Sequence, residues 1–545
     1  TSYSFLTSRN FTTSYAYDKA SNRTGFTDPE SGSTAYVYDT LNRLQTLTPP
    51  SAFTTGNFGF SYDALSRRTQ LTRPNSVSTL YAYDNLSRLT SVLHQLSGST
   101  IDGAAYTVDN AGNRAAKTDE LAGVTSNYSY NAIYELTQVT QGTNTTESYT
   151  FDPVGNRLSS LSVSPYSYNT SNELTSTPNV THTYDYNGNV LTSTTGSNTT
   201  SYSWDFENRL TSLTLPGGGG TVTFKYDPFG RRIYKSSSSG TSVFAYDRAK
   251  LIEETNSSGT AVARYADGLS IDEPLAMLRS GTTSYYQTDG LGSITSLSNT
   301  NGSNAATYSY DSFGNLVSST GALTNSLRYT GREFDTETNL YFYRARYYDP
   351  SVGRFLSQDP LQSNAGNNYY EYVYNSPLNL VDPSGLQAQE VWVDPSPQPF
   401  IVIPGGAAAS GGAGVGAATV GVAAFDLALL GYDVYEAYAL GVAYGIIPTR
   451  DPNTVTANTI GEANRKAKRQ CDKRNKKCPD CVPPAGTIVY DVQSTHTHDP
   501  FYGRHWHLLV MSQNPMNCQC WWQRVGAGTG QPPSNAQPKD PKNPW

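Results

Sequence analysis

YVYDTLNRL, residues 36–44, returns along the chain as YAYDKASNR at 15–23, FSYDALSRR at 60–68, YAYDNLSRL at 81–89, YTFDPVGNRL at 149–158, YSWDFENRL at 202–210, FKYDPFGRR at 224–232 and YSYDSFGNL at 308–316. The aromatic-small-aromatic run puts two large rings on one face of a strand, because successive side chains alternate between faces. Asp followed by Gly or Asn makes a turn, and Arg-Leu starts the return strand. Each copy is a β-hairpin, and a unit of about 21 residues cannot bury a core alone, so copies must stack. The 41 tyrosines, with Thr and Ser between them, suit an antiparallel sheet. Helix-period patterning is nearly absent before residue 400.

The copies drift at YTVDNAGNR from Tyr106, YSYNAIYEL from Tyr128 and YSYNTSNEL from Tyr166, where Asn replaces Asp or Glu replaces Arg while the turn chemistry survives. Residues repeated this often serve repeated packing, so the array over residues 1–326 reads as scaffold and no catalysis is assigned to it. The chain opens at Thr1 inside a repeat, without an initiator Met or signal-like stretch, which reads as a piece of something longer. Net charge is −7, and residues 387–545 hold 13 Lys and Arg against 12 Asp and Glu, so the array carries the acidic excess. All five cysteines lie in that tail, so disulfides do not hold the array together.

From Arg328 the text changes to RYTGREFDTETNLYFYRARYYDPSVGRFLSQDPL and then NNYYEYVYNSPLNLVDPSGL, ending at Leu386. On these motifs and the repeats, residues 1–386 resemble the Rhs/YD-repeat family, which includes bacterial polymorphic toxins and the C component of insecticidal toxin complexes. The resemblance implies a mainly β fold, an antiparallel hairpin array coiling into a hollow shell. It implies that the end block, residues 327–386, curls inside as an aspartyl autoprotease cutting after the Leu of a PxxxxDPxGL motif. That motif stands at Pro377–Leu386, so the scissile bond is Leu386–Gln387. By the same resemblance Asp382 and Asp359 are the two acids and Arg354 the basic residue.

Chemistry supports the assignment on its own terms. Carboxyl-catalysed peptide hydrolysis needs one ionised group to activate water and one protonated group to donate, and two close acids divide those roles. Cleavage within one chain also gains an effective molarity of roughly 10⁵ to 10⁸ M, so a modest site suffices for one turnover. The competing reading is that Asp-Pro-Ser-Gly is only a turn, as Asp-Pro is in FDPVGNR and YDPFGRR.

Beyond Leu386 the composition breaks into a Pro-rich linker and an Ala/Gly-rich segment over residues 387–447. Residues 405–425 are uncharged and long enough to cross a membrane, but their glycine content favours a flexible or shell-lining segment, with a helix expected over about 422–444. Residues 448–525 read as a small α+β, Cys/His-rich effector domain, and 526–545 as a disordered or extended tail. A basic run from Arg465 to Lys477 offers phosphate neutralisation, or is a solvated helix face. Four of the six histidines, His496, His498, His505 and His507, fall within twelve residues; Cys478 with Cys481 has zinc-knuckle spacing that Cys518 with Cys520 would complete. Disulfides between those pairs are a rival reading.

Zinc or another divalent metal is therefore expected in this domain and no cofactor in the array. His505 and His507 are the candidate nuclease residues, with Arg504 or Arg524 countering phosphate charge. Two function classes follow: a secreted or cell-surface, self-cleaving polymorphic toxin whose tail is a nuclease, or an adhesive repeat protein with a metal-binding module. The first implies an immunity protein, a secretion apparatus engaged through an upstream part, and a nucleic-acid substrate.

Overall fold

A computed structural model describes residues 9–361 and 368–390, and, as backbone strands alone, 488–493, 505–513, 520–529 and 537–538. The chain divides into two compact units, residues 1–409 with 429–431, and residues 410–428 with 432–545.

In the first unit the hairpins line up in chain order. Fourteen strands from Ser14–Tyr17 to Arg157–Ser160 form one antiparallel sheet, and sixteen from Ser167–Tyr168 to Leu316–Thr320 form a second. Two devices built into the repeat propagate them. At each turn the Asp carboxylate accepts the backbone N–H groups two and four residues on, as Asp39 does from Leu41 at 2.8 Å and Arg43 at 3.0 Å. Its other oxygen accepts the side chain four residues on: Arg43 Nε at 2.7 Å, or Asn189 Nδ2 to Asp185 at 2.9 Å. In the drifted copies from Tyr128 and Tyr166 the polarity reverses, with Asn131 and Asn169 donating to Glu135 and Glu173 at 2.5 Å each. The turn needs one donor and one acceptor at these positions and tolerates either order, which is why Asp-to-Asn and Arg-to-Glu occur together.

The second device joins neighbouring hairpins. The last aromatic before the Asp donates to the first carbonyl of the preceding return strand: Tyr62 to Leu44 at 2.8 Å, Tyr130 to Arg114 at 2.7 Å, Tyr226 to Leu210 at 2.6 Å. Trp204 Nε1 does the same to Val190 at 2.7 Å. The first aromatic lies on the same face and is the more deeply buried of the two in several copies, as Tyr36, Phe60, Tyr149 and Phe224 show.

The two sheets adjoin as successive coils. Arg23 pairs with Asp247 at 2.6 Å, Lys117 with Asp289 at 3.0 Å, and Glu147 accepts the Ser312 N–H at 3.2 Å, so both partners advance together along the chain. The end block forms a four-stranded sheet from Glu333–Asp335 to Arg354–Phe355 and a short pair, Leu380–Val381 with Gln389–Glu390. Both sheets hold it: Asn375 donates to Gly155 O at 2.8 Å in a turn of the first, while in the second Gly188 O accepts from Tyr370 at 2.8 Å, Phe313 O accepts from Tyr348 at 2.7 Å, and Arg232 donates to Glu333 at 2.7 Å. Its core is a knot of rings from Tyr329, Tyr341, Tyr343, Tyr348, Phe355 and Tyr372, the Tyr348 and Tyr372 centroids 4.5 Å apart.

The described part of the second unit is one four-stranded sheet in the order Cys520–Thr529, His505–Gln513, Ile488–Gln493, Gln537–Pro538, the last strand parallel to its neighbour. Strand structure thus enters the stretch 526–545, which the sequence reads as a disordered or extended tail. The helix expected over 422–444, and residues 405–425, lie outside the described residues. Among the described residues no helix is long and apolar enough to cross a membrane.

Candidate active site

The Pro377–Leu386 motif runs through the short strand Leu380–Val381 into a tight loop, residues 382–388, that returns as Gln389–Glu390, with Val381 opposite Gln389. Asp382 opens that loop and the Leu386–Gln387 bond lies across it. Asp382 Oδ1 accepts the backbone N–H of Leu386 and that of Gln387, both at 3.1 Å, and the Ser384 hydroxyl at 3.2 Å. Gln387 N is the nitrogen of the bond the motif marks, so one carboxylate oxygen sits within hydrogen-bond reach of the group that would leave.

The loop is held from outside by the hairpin connecting Leu340–Tyr343 to Arg346–Asp349. Ala345 N–H donates to Ser384 O at 3.1 Å, Arg344 to Pro383 O, and Arg346 Nε to Gly385 O. Gly385 has φ +73°, and a Cβ there would collide with the Tyr343 carbonyl. Only glycine enters this turn without strain.

Arg346 joins the two acids. Its Nη2 lies 2.7 Å from Asp359 Oδ2 and 3.5 Å from Asp382 Oδ2, Nη1 donates to Tyr369 O at 2.9 Å, and the guanidinium covers the Phe355 ring at 3.6 Å. Arg346, Asp359 and Asp382 are 4, 3 and 2 % exposed. Burial pushes the Asp359 carboxyl up to about 6, against the opposing pull of Arg346 and the Leu361 N–H, while the charge of Asp382 adds to the rise. Burial likewise lowers Arg346, and the two carboxylates resist it. These residues line one cavity of about 30 Å³ with Asn368, Glu371, Val373, Tyr374, Leu386, Gln387 and Ala388, which has room for a water molecule or two.

Asp359 and Asp382 are therefore brought together with Leu386, as the sequence reading expects. Arg354 is placed elsewhere: its guanidinium donates to Asn156 Oδ1 at 3.0 Å and to Asn172 O, between the rings of Tyr168 and Tyr370. It fastens the end block to the array, and Arg346 occupies the position between the acids. Three arginines, Arg344, Arg346 and Arg354, stand close together in the sequence, and nothing local tells them apart. Glu371, within YYEYVY, carries no motif signal in the sequence, and only the fold brings it to the cavity wall.

In the second unit His505 and His507 stand two positions apart on one strand, opposite Gln493 and Asp491 on one side and Thr529 and Ala527 on the other. Cys520 begins a strand opposite Gln513. His496, His498, Cys478, Cys481 and Cys518 lie outside the described residues. Among described residues no cluster of three metal-ligating side chains occurs.

Residues 118–378 match the Teneurin YD-shell family. The chain is 33 % identical over 273 residues to a tRNA3(Ser)-specific nuclease WapA of Bacillus spizizenii, covering 47 % of this chain and 12 % of that protein. It is 28 % identical to double-stranded DNA deaminase toxin A of Burkholderia cenocepacia, over 52 % of this chain and 22 % of that protein. Over 69 residues it is 46 % identical to toxin subunit YenC2 of Yersinia entomophaga, covering 13 % of this chain and 7 % of that one. The chain thus spans less than a quarter of the length of each of these relatives. Among solved structures, a TcdB2-TccC3-Cdc42 complex matches with a TM-score of 0.59 at 20 % identity, over 69 % of this chain and 22 % of that one, which establishes a shared fold.

Proposed function

We propose that this chain, which carries a YD shell of the Rhs/YD-repeat toxin family, cuts itself between Leu386 and Gln387 and so frees residues 387–545 as a toxic effector. The observation that carries the reading is the 3.1 Å contact from Asp382 Oδ1 to the Gln387 nitrogen, beside a second acid on the same arginine. A water in the cavity attacks the Leu386 carbonyl carbon and gives its proton to Asp382. Asp382 passes that proton to the Gln387 nitrogen as the C–N bond breaks. Asp359, raised to about 6, supplies a proton to the carbonyl oxygen and recovers it when the tetrahedral intermediate collapses to the Leu386 carboxyl. Arg346 stays charged throughout and fixes the two acids. The chemistry balances as addition of one water, with no cofactor.

Expression of the full chain tests this: wild type gives two fragments, the smaller beginning at Gln387 by mass spectrometry, and Asp382→Asn gives one intact chain. Two fragments from Asp382→Asn would remove Asp382 from the reaction.

For the freed part we propose a metal-dependent nuclease, with His505 and His507 at its site, His496, His498, Cys478, Cys481, Cys518 and Cys520 as the other metal-ligand candidates, and zinc or another divalent ion bound. The support is the basic run before the histidine cluster and the nuclease names of relatives. Secretion, delivery to a target cell and neutralisation by an immunity protein belong to the same reading. Processed chain incubated with tRNA and DNA, with and without chelator, tests it; activity that survives His505→Ala with His507→Ala overturns it. An adhesive repeat protein would show neither cleavage nor nucleolysis.

A further inference from the structure

Three successive residues that line or adjoin the cleavage cavity, Val373, Tyr374 and Asn375, have φ of +45°, +55° and +53°. A β-branched residue in this region is a rare and costly conformation, and three in a row must be held by their surroundings. The clamp is the Asn375 side chain. Its Nδ2 lies 2.6 Å from Glu371 Oε1, 2.8 Å from Gly155 O and 3.1 Å from Glu135 Oε1. Glu135 and Gly155 belong to turns of the array, while Glu371 lines the cavity with Asp359, Asp382, Leu386 and Gln387. An amide nitrogen has two hydrogens for these three acceptors.

We propose that Glu371 is a positioning residue for self-cleavage: with Glu135 it holds Asn375 and the left-handed cavity wall in place only while it carries a proton. This rests on the autocleavage reading and adds to it a third ionisation and a dependence on docking of the array. With Glu371 ionised, two carboxylates crowd one amide inside the protein, and the wall they hold is released. Charged groups facing Glu371 are Glu135 and Asp152 from the array and Arg354 from the end block, with Arg346, Asp359 and Asp382 across the cavity. Burial, then Glu135, raise Glu371 to about 8, with Arg354 opposing. The group is thus protonated at neutral pH and loses its proton within a measurable range.

The test is the pH profile of cleavage in the full chain, obtained uncut in denaturant and diluted into buffers from pH 5 to 9.5, with folding followed by intrinsic fluorescence. If Asp359 must be protonated, the rate falls about tenfold per unit above about 6. Loss of the Glu371 proton steepens this to about a hundredfold per unit above about 8. Glu371→Gln, which keeps a neutral acceptor, should hold the shallower slope throughout. Asn375→Gly tolerates the left-handed backbone but lacks the clamp, and should cleave at least about tenfold more slowly at pH 6. A steep limb retained in Glu371→Gln, or wild-type rates in Asn375→Gly, overturns the inference. Cleavage by Asp382→Asn in the same series would instead overturn the autocleavage reading itself.

Discussion

The Asn169 side-chain amide donates to the Glu173 carboxylate at 2.5 Å, the reverse of the Arg209-to-Asp205 bond at 2.8 Å in a regular copy. Asn169→Asp sets two carboxylates against each other, and the exposed turn should lose about 1 kcal/mol. Hydrogen exchange at the Asn172 amide, which closes the turn on Asn169 O, should speed up about fivefold. Adding Glu173→Arg restores the ordinary polarity and most of the protection; the remainder is lost because Glu173 also meets the Tyr370 hydroxyl at 3.4 Å. Equal exchange in the single and double variants would show that the pair does not set turn stability.

The aromatic staple predicts changes of opposite sign at two equivalent positions. Tyr226→Phe removes the donor to Leu210 O and should cost about 1 kcal/mol. In the YTFD copy the equivalent residue is Phe151, which has no hydroxyl, and the repeat places the Leu136 carbonyl where the acceptor would be. Phe151→Tyr should therefore stabilise by up to about 1 kcal/mol. Urea midpoints of the two variants check both; a destabilising Phe151→Tyr would mean the site cannot admit the hydroxyl.

Much of the array was legible because its determinants are local. Strand alternation in YVYDTLNRL and the Asp turn depend on residues within one hairpin, and Asp359 and Asp382 carry motif order that survives folding. What escaped depends on neighbours distant in the chain. The third-position tyrosines read as paired strand aromatics whose hydroxyls reach water or a carbonyl, but that the carbonyl is the first of the preceding return strand is set only by the stacking of hairpins. Arg346 and Arg354 look alike in sequence, and only packing against Phe355 or between Tyr168 and Tyr370 separates them. Glu371 gains its meaning from Glu135, which lies far earlier in the array.

The raised carboxyls of the first unit should cost it stability progressively from about pH 4 up to their folded values of about 7 to 8, and part of that loss falls between about pH 6.5 and 8.5. Burial pushes Glu147, Glu253 and Asp267 up to about 7 and Glu371 to about 8. A carboxyl raised above its unfolded value of roughly 4 contributes stability that is present below that value and lost as pH rises through the folded one. Turn aspartates such as Asp39 and Asp63 are held low by their own hydrogen bonds, so their contribution disappears only in acid. Buried His94, lowered to about 4, likewise loses its contribution on the acid side. The thermal midpoint should be lower at pH 8.5 than at 6.5, and Glu147→Gln should flatten the difference. A midpoint that rises across this window contradicts the assignment of these acids as protonated in the fold.

Arg346 and Arg354 should separate cleavage from docking. Arg346→Gln leaves Asp359 and Asp382 buried without their shared cation, so cleavage should slow by about a hundredfold or more. Because Arg346 lowers Asp359, its removal raises that carboxyl further, and the alkaline fall of any residual cleavage should move above about 6. Arg354→Gln breaks the contacts to Asn156 and Asn172 but touches neither acid. It should cleave within a few-fold of wild type at 20 °C while the end block comes loose at lower urea. The reverse ranking, with Arg354→Gln uncut and Arg346→Gln processed normally, would return the basic role to Arg354 and require the end block to rearrange before it reacts.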